Sequence, residues 1–201
     1  MLLPIAPGAR VFSPSDIMAG RLPAEGPVVV FDDDHYYMGG VMAELLADRG
    51  LAVILVTPAA EASTWTRATM EQHFIQKRLL EKGVAIRAFT LLESIEAGSV
   101  ATSCVFTGRR DRIEAGAVLL VTARLPNEAL YLDLKARQAD WADAGIERVD
   151  AIGDALAPAT IAHATYAGRR YAEELDADPL PEGTVPFRRE IAALWPLDET
   201  P

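Results

Sequence analysis

Short apolar runs and amphipathic stretches alternate along the first half of the chain. Strand-length apolar runs cover 28–31, 52–57 and 84–90, and each is bounded by turn-forming residues. The stretches between them, 39–49 and 66–82, place apolar residues at helical spacing and end at Gly50 and Gly83, which are typical helix stops. This order predicts parallel strands joined by crossover helices.

The pattern changes after residue 90. Alternating residues over 99–107, a turn at 108–111 and an apolar run over 117–122 predict a β-meander that returns to a last parallel strand. The remaining elements are predicted as a polar helix over 131–144, a strand over 148–152, a tight corner at Gly153 and Asp154, and a helix over 157–175. On that last helix, small residues between Ile161 and Leu175 predict close packing against a neighbour.

Both ends of the chain differ in composition from the segments between them. Residues 1–26 are rich in Pro and Gly, and the run from Ser13 to Asp16 predicts one short capped helix. Residues after 176 contain prolines and acids, and apolar Phe187, Ile191, Leu194 and Trp195 are spaced to dock a short helix.

Composition excludes several classes of protein. A net charge of -10 argues against nucleic acid as a partner, because binding phosphate backbones requires clustered Lys and Arg. The apolar runs are too short to cross a membrane, so we expect a cytoplasmic protein. The single cysteine, Cys104, can form no internal disulfide and cannot by itself hold an iron-sulfur cluster; we predict that it is a buried strand residue.

The stretch FDDDHYYMGG, residues 31–40, follows the first buried strand, where a dinucleotide-binding fold usually carries three glycines. If Gly39 is the third glycine, the first two positions fall on Asp34 and Tyr36, and counting from the strand end puts the first on Asp32. Carboxylates here oppose the charge of a pyrophosphate. The second strand ends in Thr57 rather than the acid that binds ribose hydroxyls, so we predict that NAD does not bind.

Three roles for the aspartates remain open. One of them could cap the following helix or interact favourably with the positive N-terminal end of its dipole, while Tyr36 and Tyr37 fill the vacated nucleotide pocket. A divalent metal could be held by Asp32, Asp34 and His35, because hard cations prefer carboxylates. The third role is a docking surface for a basic partner, in keeping with the net charge.

The segments LLVTARLPN at 119–127 and VDAIGDALAP at 149–158 resemble those that close the NAD domain and return the chain to the FAD domain in flavoproteins related to disulfide reductases. More closely, DDDHYYMGG at 32–40, WADAGIERVDAIGDALAPATIAHATYAGRRYAEEL at 141–175 and VPFRREI at 185–191 resemble the C-terminal part of the trimethylamine, dimethylamine and histamine dehydrogenases. These are relatives of dienoyl-CoA reductase and old yellow enzyme. The resemblance covers most of residues 26–195. It implies an α/β fold: a three-layer Rossmann-like domain of the NAD(P)-binding type with a parallel sheet and a β-meander, plus a crossing strand-helix segment of the adjacent FAD- or ADP-like lobe.

The resemblance also implies a division of the chain into a lead-in at 1–26, a degenerate NAD-binding-like domain at 27–147, and a return segment with a tail at 148–201. The family carries FMN and a 4Fe-4S cluster on an N-terminal barrel, so neither is expected on this chain. No cofactor is expected on this chain alone, and ADP is the nucleotide that it could hold. The cofactor-binding candidates are Asp32, Asp34, Tyr36, Gly39, Gly153 and Asp154, and no catalytic or metal-binding residue is predicted.

The function expected from the resemblance is non-catalytic: a domain or subunit that braces the ADP- or FAD-like lobe and shapes the electron-acceptor surface of an amine dehydrogenase-like enzyme. One alternative is a pyridine-nucleotide-binding reductase module that feeds a flavin on a partner domain. Another is a free-standing interaction subunit. The expected partners are an FMN-binding barrel domain or subunit, an electron-transfer flavoprotein, or a second copy of the chain.

Overall fold

The computed structural model describes residues 3–176, and the chain divides into two compact units, 1–123 and 124–201. Unit 1 contains eight strands and three α-helices among its described residues. The strands are β1 Val11–Phe12, β2 Val28–Asp32, β3 Val53–Val56, β4 Ala85–Arg87, β5 Thr90–Glu96, β6 Ser99–Cys104, β7 Arg110–Glu114 and β8 Ala117–Val121. The helices are α1 Pro14–Met18, α2 Tyr37–Asp48 and α3 Gln72–Glu81.

Five strands form a parallel sheet in the order β1-β8-β2-β3-β4. Strand β2 lies at its centre, with Val29 opposite Ile54 of β3 and Val118 of β8. All five residues of β2 are buried, as expected for a strand covered on both faces. The fold class predicted from the sequence is confirmed: a mixed α/β domain with a parallel sheet and a separate antiparallel sheet.

Alternate residues of β2 point to two separate cores. Val28 and Val30 pack with Met42 and Leu46 of α2 on one face of the sheet. Val29 and Phe31 pack with residues of the antiparallel sheet β5-β6-β7 on the other. Since successive side chains of a strand point to opposite faces, this continuous apolar run supports the three-layer arrangement.

The predicted lead-in, residues 1–26, belongs to unit 1 and contributes a helix and a strand to it. Ser13 caps α1 in a capping box with Asp16, which confirms the predicted capped helix. The adjacent Arg21 guanidinium holds the pKa of Asp16 at about 2. Strand β1, which the sequence did not predict, pairs in parallel with β8 at the sheet edge.

The helix predicted over 66–82 is divided. A 3₁₀ turn covers Thr64–Arg67, and α3 begins only at Gln72. Between them Met70 adopts a φ of +60°, which interrupts the helical backbone. Within the 3₁₀ turn, the Thr66 hydroxyl donates to the Ser63 carbonyl at 2.7 Å.

The meander differs from its predicted boundaries. The strand predicted over 84–90 ends at Arg87, and a further strand, β5, begins at Thr90 after Phe89 with a φ of +51°. Strand β7 takes up part of the predicted turn at 108–111. The meander is therefore β5-β6-β7, and β8 returns to the parallel sheet beside β2, as predicted.

Unit 2 is described here over residues 124–176. It contains α4 Ala129–Ala136, α5 Ile161–Glu174 and short 3₁₀ turns at Gln138–Asp140 and Gly153–Ala155. Both helices are shorter than predicted, and the strand predicted over 148–152 does not form within this part. Its one buried residue among those described is Trp141, whose indole N–H donates to the Leu134 carbonyl at 2.8 Å.

The division into 1–26, 27–147 and 148–201 stays a prediction. The short helix expected around Phe187 to Trp195 lies outside the described residues. Within residues 3–176, no helix combines the length and the apolar character needed to cross a membrane.

Candidate functional site

The corner between β2 and α2 is built around a buried carboxylate. Asp32 is the last residue of β2 and is 0% exposed. Its Oδ1 accepts a hydrogen bond from the His35 backbone amide at 3.0 Å. Its Oδ2 is also buried and has no hydrogen-bond partner among the described residues. Burial raises the pKa of the Asp32 carboxyl above its ordinary value, and the backbone amides of His35 and Ser63 only partly offset this.

Two glycines make room for side chains of the chain itself. A Cβ atom on Gly39 would lie 2.3 Å from Asp32 Cγ and 2.6 Å from its Oδ2. A Cβ atom on Gly40 would lie 2.9 Å from the Ser63 hydroxyl. Ser63 is 0% exposed, and its Oγ likewise has no hydrogen-bond partner in the described part of the chain. The first turn of α2 therefore packs directly on Asp32 and Ser63.

The loops that carry these residues are joined to each other. The Trp65 amide donates to the His35 carbonyl at 2.9 Å, and Thr57 Oγ1 lies 3.5 Å from His35 Nδ1. His35 and Ser63 both have positive φ angles, of 61° and 51°. Non-glycine residues adopt this conformation only at a cost, so the contacts of the loops must hold it in place.

The alternative in which an aspartate side chain caps α2 is wrong. Helix α2 begins at Tyr37, and its N-cap residue Tyr36 makes no side-chain capping hydrogen bond. Asp32 bonds the amide of His35, which precedes the helix. Tyr37 does not fill the corner either: its hydroxyl lies 3.0 Å from Thr69 Oγ1 and donates to Glu71.

The other aspartates of the loop face solvent. Asp33 and Asp34 are exposed, and Asp33 Oδ1 lies 3.5 Å from His35 Nε2. No group of three or more potential metal ligands occurs among residues 3–176, so the alternative of a metal held by Asp32, Asp34 and His35 is not formed. Of the predicted corner residues, the structure brings Asp32 and Gly39 into contact, while Asp34 is exposed and Tyr36 is half-buried.

The second predicted site lies in unit 2. Gly153 has a φ of +57°, which favours glycine. Asp154 is exposed, and its Oδ1 accepts from the Ala159 amide at 3.3 Å. Because α5 begins at Ile161, Asp154 is not an N-cap residue.

Cys104 is the last residue of β6 and is half-buried, so the prediction of a buried residue is wrong. The Thr107 hydroxyl and the backbone amides of Thr107 and Phe106 lower the pKa of the Cys104 thiol to about 7.

The residue that sequence reasoning missed at the corner is Ser63. It lies in a polar loop 31 positions after Asp32, and no local pattern marks it.

Comparison with known proteins finds relatives among amine dehydrogenases and amine oxidases. No protein-family profile matches the sequence. Dimethylamine dehydrogenase of Hyphomicrobium sp. (strain x) is 30% identical over 203 residues, which cover 92% of this chain and 27% of that protein. Among solved structures, histamine dehydrogenase from Rhizobium sp. 4-9 is 53% identical with a TM-score of 0.89, and the match covers 96% of this chain and 30% of that one.

A third relative is the 6-hydroxypseudooxynicotine amine oxidase HisD from Pseudomonas geniculata N1. It is 41% identical with a TM-score of 0.74, over 80% of this chain and 24% of that one. The chain thus spans 24% to 30% of the length of these relatives. It is homologous to the C-terminal region of the dimethylamine and histamine dehydrogenases.

Proposed function

We propose that the chain is a non-catalytic, degenerate nucleotide-binding-type domain or subunit of an FMN- and 4Fe-4S-dependent oxidoreductase of the amine dehydrogenase kind. The observation that carries this proposal is the fully buried carboxylate of Asp32 against Gly39. A pyrophosphate needs this space for its close approach to the helix, and the carboxylate opposes its charge.

The 4Fe-4S cluster does not fit this chain, because the sequence contains one cysteine and such a cluster is held by four thiolates. In this proposal the cluster and FMN belong to a partner barrel domain or subunit. ADP is the nucleotide that the adjacent lobe would hold, with Gly153 and Asp154 at its border. The protein would act in the cytoplasm and could pass electrons to an electron-transfer flavoprotein through the partner.

The bracing role is supported by the apolar surface of unit 2. Eight large apolar or aromatic side chains among its described residues are exposed: Leu125, Leu130, Leu132, Ile152, Leu156, Ile161, Tyr166 and Leu175. Neither α4 nor α5 buries a residue. A unit with so little core of its own gains stability by packing on another surface.

Calorimetric titration of the isolated chain with NADH and, separately, with ADP tests the degenerate site. We expect no NADH binding in the micromolar range. NADH binding at that strength would favour the alternative of a reductase module that feeds a flavin on a partner. Stoichiometric flavin or cluster on the isolated chain would also contradict the proposal.

Fragment complementation tests the bracing role. The part of Rhizobium sp. 4-9 histamine dehydrogenase that this chain does not match would be co-expressed with it, and association would be measured by size-exclusion chromatography. Ile161→Asp, at a side chain that is 84% exposed in unit 2, is expected to weaken association. The matched control, Met18→Asp, changes an exposed side chain of unit 1 and is expected to leave association intact. Equal effects of both variants would count against unit 2 as the bracing surface.

The same exposed side chains favour a second candidate function, that of a free-standing interaction subunit. In that case the chain would cover its apolar surface by forming a homodimer. Light scattering of the purified chain distinguishes the two: a stable dimer that Ile161→Asp dissociates supports the subunit, and a monomer that associates only with the complementary fragment supports the bracing domain.

A further inference from the structure

Two exposed aromatic rings meet where the loops after β4 and β6 come together. Phe89 directly precedes β5, and Phe106 lies in the turn between β6 and β7. Their ring centroids are 5.2 Å apart, and the Val105 amide donates to the Phe89 carbonyl at 2.9 Å. Phe89 is 41% exposed and Phe106 is 76% exposed. Most of the apolar surface of this pair is therefore available to a partner.

The backbone of Phe89 adopts an unfavourable conformation. Its φ of +51° costs free energy for a bulky residue. The Phe89 amide donates to the Ala59 carbonyl at 2.9 Å, and this bond and the one from Val105 hold the conformation in place. Glycine or asparagine would adopt it at a lower cost, so the turn alone does not explain an aromatic residue here. Residues held in this way cluster at functional sites.

The two segments that carry these rings also carry three exposed arginines, Arg87, Arg109 and Arg110. Residues 85–92 and 101–110 contain no Asp or Glu, although acids outnumber bases by 29 to 19 in the whole chain. None of the three arginines forms an ion pair with a carboxylate among residues 3–176. Positive charge is thus concentrated beside the exposed rings of an acidic protein.

The acids that flank these segments bind other groups. Glu93 accepts a hydrogen bond from the Ser103 hydroxyl. Asp111 Oδ1 accepts one from the Arg112 amide at 2.8 Å. The charges of the three arginines therefore remain available to carboxylates of another molecule.

We infer that Arg87, Phe89, Phe106, Arg109 and Arg110 form an arginine-phenylalanine patch that binds an acidic segment of another protein. Carboxylates of that segment would pair with the arginines, and an apolar side chain between them would pack on the two rings. Arginine and aromatic residues are the types enriched in protein interfaces. A chain of net charge -10 repels acidic partners in general, so a basic patch directs their binding to this surface. The inference does not rest on the proposed function, which concerns the β2–α2 corner and unit 2.

Nuclear magnetic resonance titration of the isotope-labelled full chain tests the patch with named probes. These are the end-blocked peptides EEWEE and KKWKK and a short oligothymidine, at constant low ionic strength. We expect EEWEE to shift the amides of Phe106 and Arg109 with a Kd on the order of millimolar, and KKWKK to leave them unshifted. Because the chain as a whole is acidic, non-specific attraction would favour KKWKK, so the order of the two affinities is decisive.

Two substitutions separate the roles of charge and ring. Arg109→Glu and Phe106→Ala are each expected to weaken EEWEE binding about fivefold or more, through a reversed charge and a lost ring contact. The matched controls, Arg49→Glu and Phe74→Ala, change exposed residues of the same types elsewhere in unit 1 and are expected to leave binding intact.

Three results would overturn the inference. The first is the absence of EEWEE-induced shifts at the patch. The second is an equal effect of the test substitutions and their controls. The third is tighter binding of oligothymidine than of EEWEE, which would assign the patch to nucleic acid, because bases stack on aromatic rings and phosphates pair with arginine.

Discussion

At the scale of single residues, Asp32 is the side chain whose environment is least favourable. It combines complete burial with an oxygen that lacks a partner in the described structure and a raised pKa. Natural proteins rarely retain such groups without compensation. Here the compensation is partial and comes from the backbone amides of His35 and Ser63, which lower the pKa of the carboxyl that lies beside Gly39.

Asp32→Asn is therefore expected to stabilise the protein at pH 7, by roughly 1 kcal/mol, because the amide keeps the shape and the acceptor but removes the buried charge. The folded-state pKa of Asp32 lies above the unfolded value. The wild type thus gains stability as the pH falls from neutral toward about 4, and the advantage of Asn should shrink over that range.

Urea unfolding at several pH values measures this effect. Asp34→Asn is the control, because Asp34 is exposed in the same loop. A variant Asp32→Asn that is less stable than the wild type at pH 7 would show that the corner favours the charged form.

Cys104 offers a separate prediction. Because its thiol pKa is lowered to about 7, first of all by the Thr107 hydroxyl, a large fraction is thiolate at neutral pH. Alkylation by iodoacetamide should rise with a midpoint near pH 7. Thr107→Val should move that midpoint upward, toward the ordinary thiol value of about 8.5, whereas Thr107→Ser keeps the hydroxyl and should not. Identical midpoints in the two variants would rule out the hydroxyl as the cause.

At the scale of elements, the start of α2 depends on the absence of side chains. Gly39→Ala places a methyl group 2.3 Å from Asp32 Cγ, inside the fully packed corner. We expect a loss of about 1–3 kcal/mol of stability, the usual cost of overpacking, measurable by urea unfolding. Gly168→Ala in α5 is the control, since its added methyl group meets no atom within 4 Å and alanine favours a helix. Equal losses from both variants would count against the contact with Asp32.

The elements that could be predicted from the sequence are those with strong local signals. Strands β2 and β3 and helix α2 follow from apolar runs, helical spacing and a glycine stop at Gly50. The break of the next helix at Met70 could not be predicted, because a methionine with positive φ has no sequence signature and is held by its surroundings.

Part of the candidate site could also be predicted from the sequence. The position of Asp32 at a strand end marked it, and the glycines marked the start of the helix. The pairing of Gly40 with Ser63 depends on how a distant loop folds back, and this cannot be predicted from local pattern.

At the scale of the whole molecule, the two units differ in how much they bury. Both apolar cores lie within residues 1–123, whereas Trp141 is the one buried residue described in unit 2. We expect a fragment of residues 1–123 to unfold cooperatively and a fragment of residues 124–201 to lack a cooperative transition. Circular dichroism during heating measures both. A cooperative transition of the second fragment alone would show that it does not depend on a partner surface.

The two-residue strand β1 has a consequence for how the protein can be divided. It supplies the outer hydrogen-bonded neighbour of β8, whose residues Ala117–Val121 are almost all buried and apolar. A fragment that starts at residue 27 would leave this strand as a bare sheet edge, and such an edge recruits strands from other molecules. We therefore expect the lead-in, residues 1–26, to protect the domain against aggregation by covering the edge of β8.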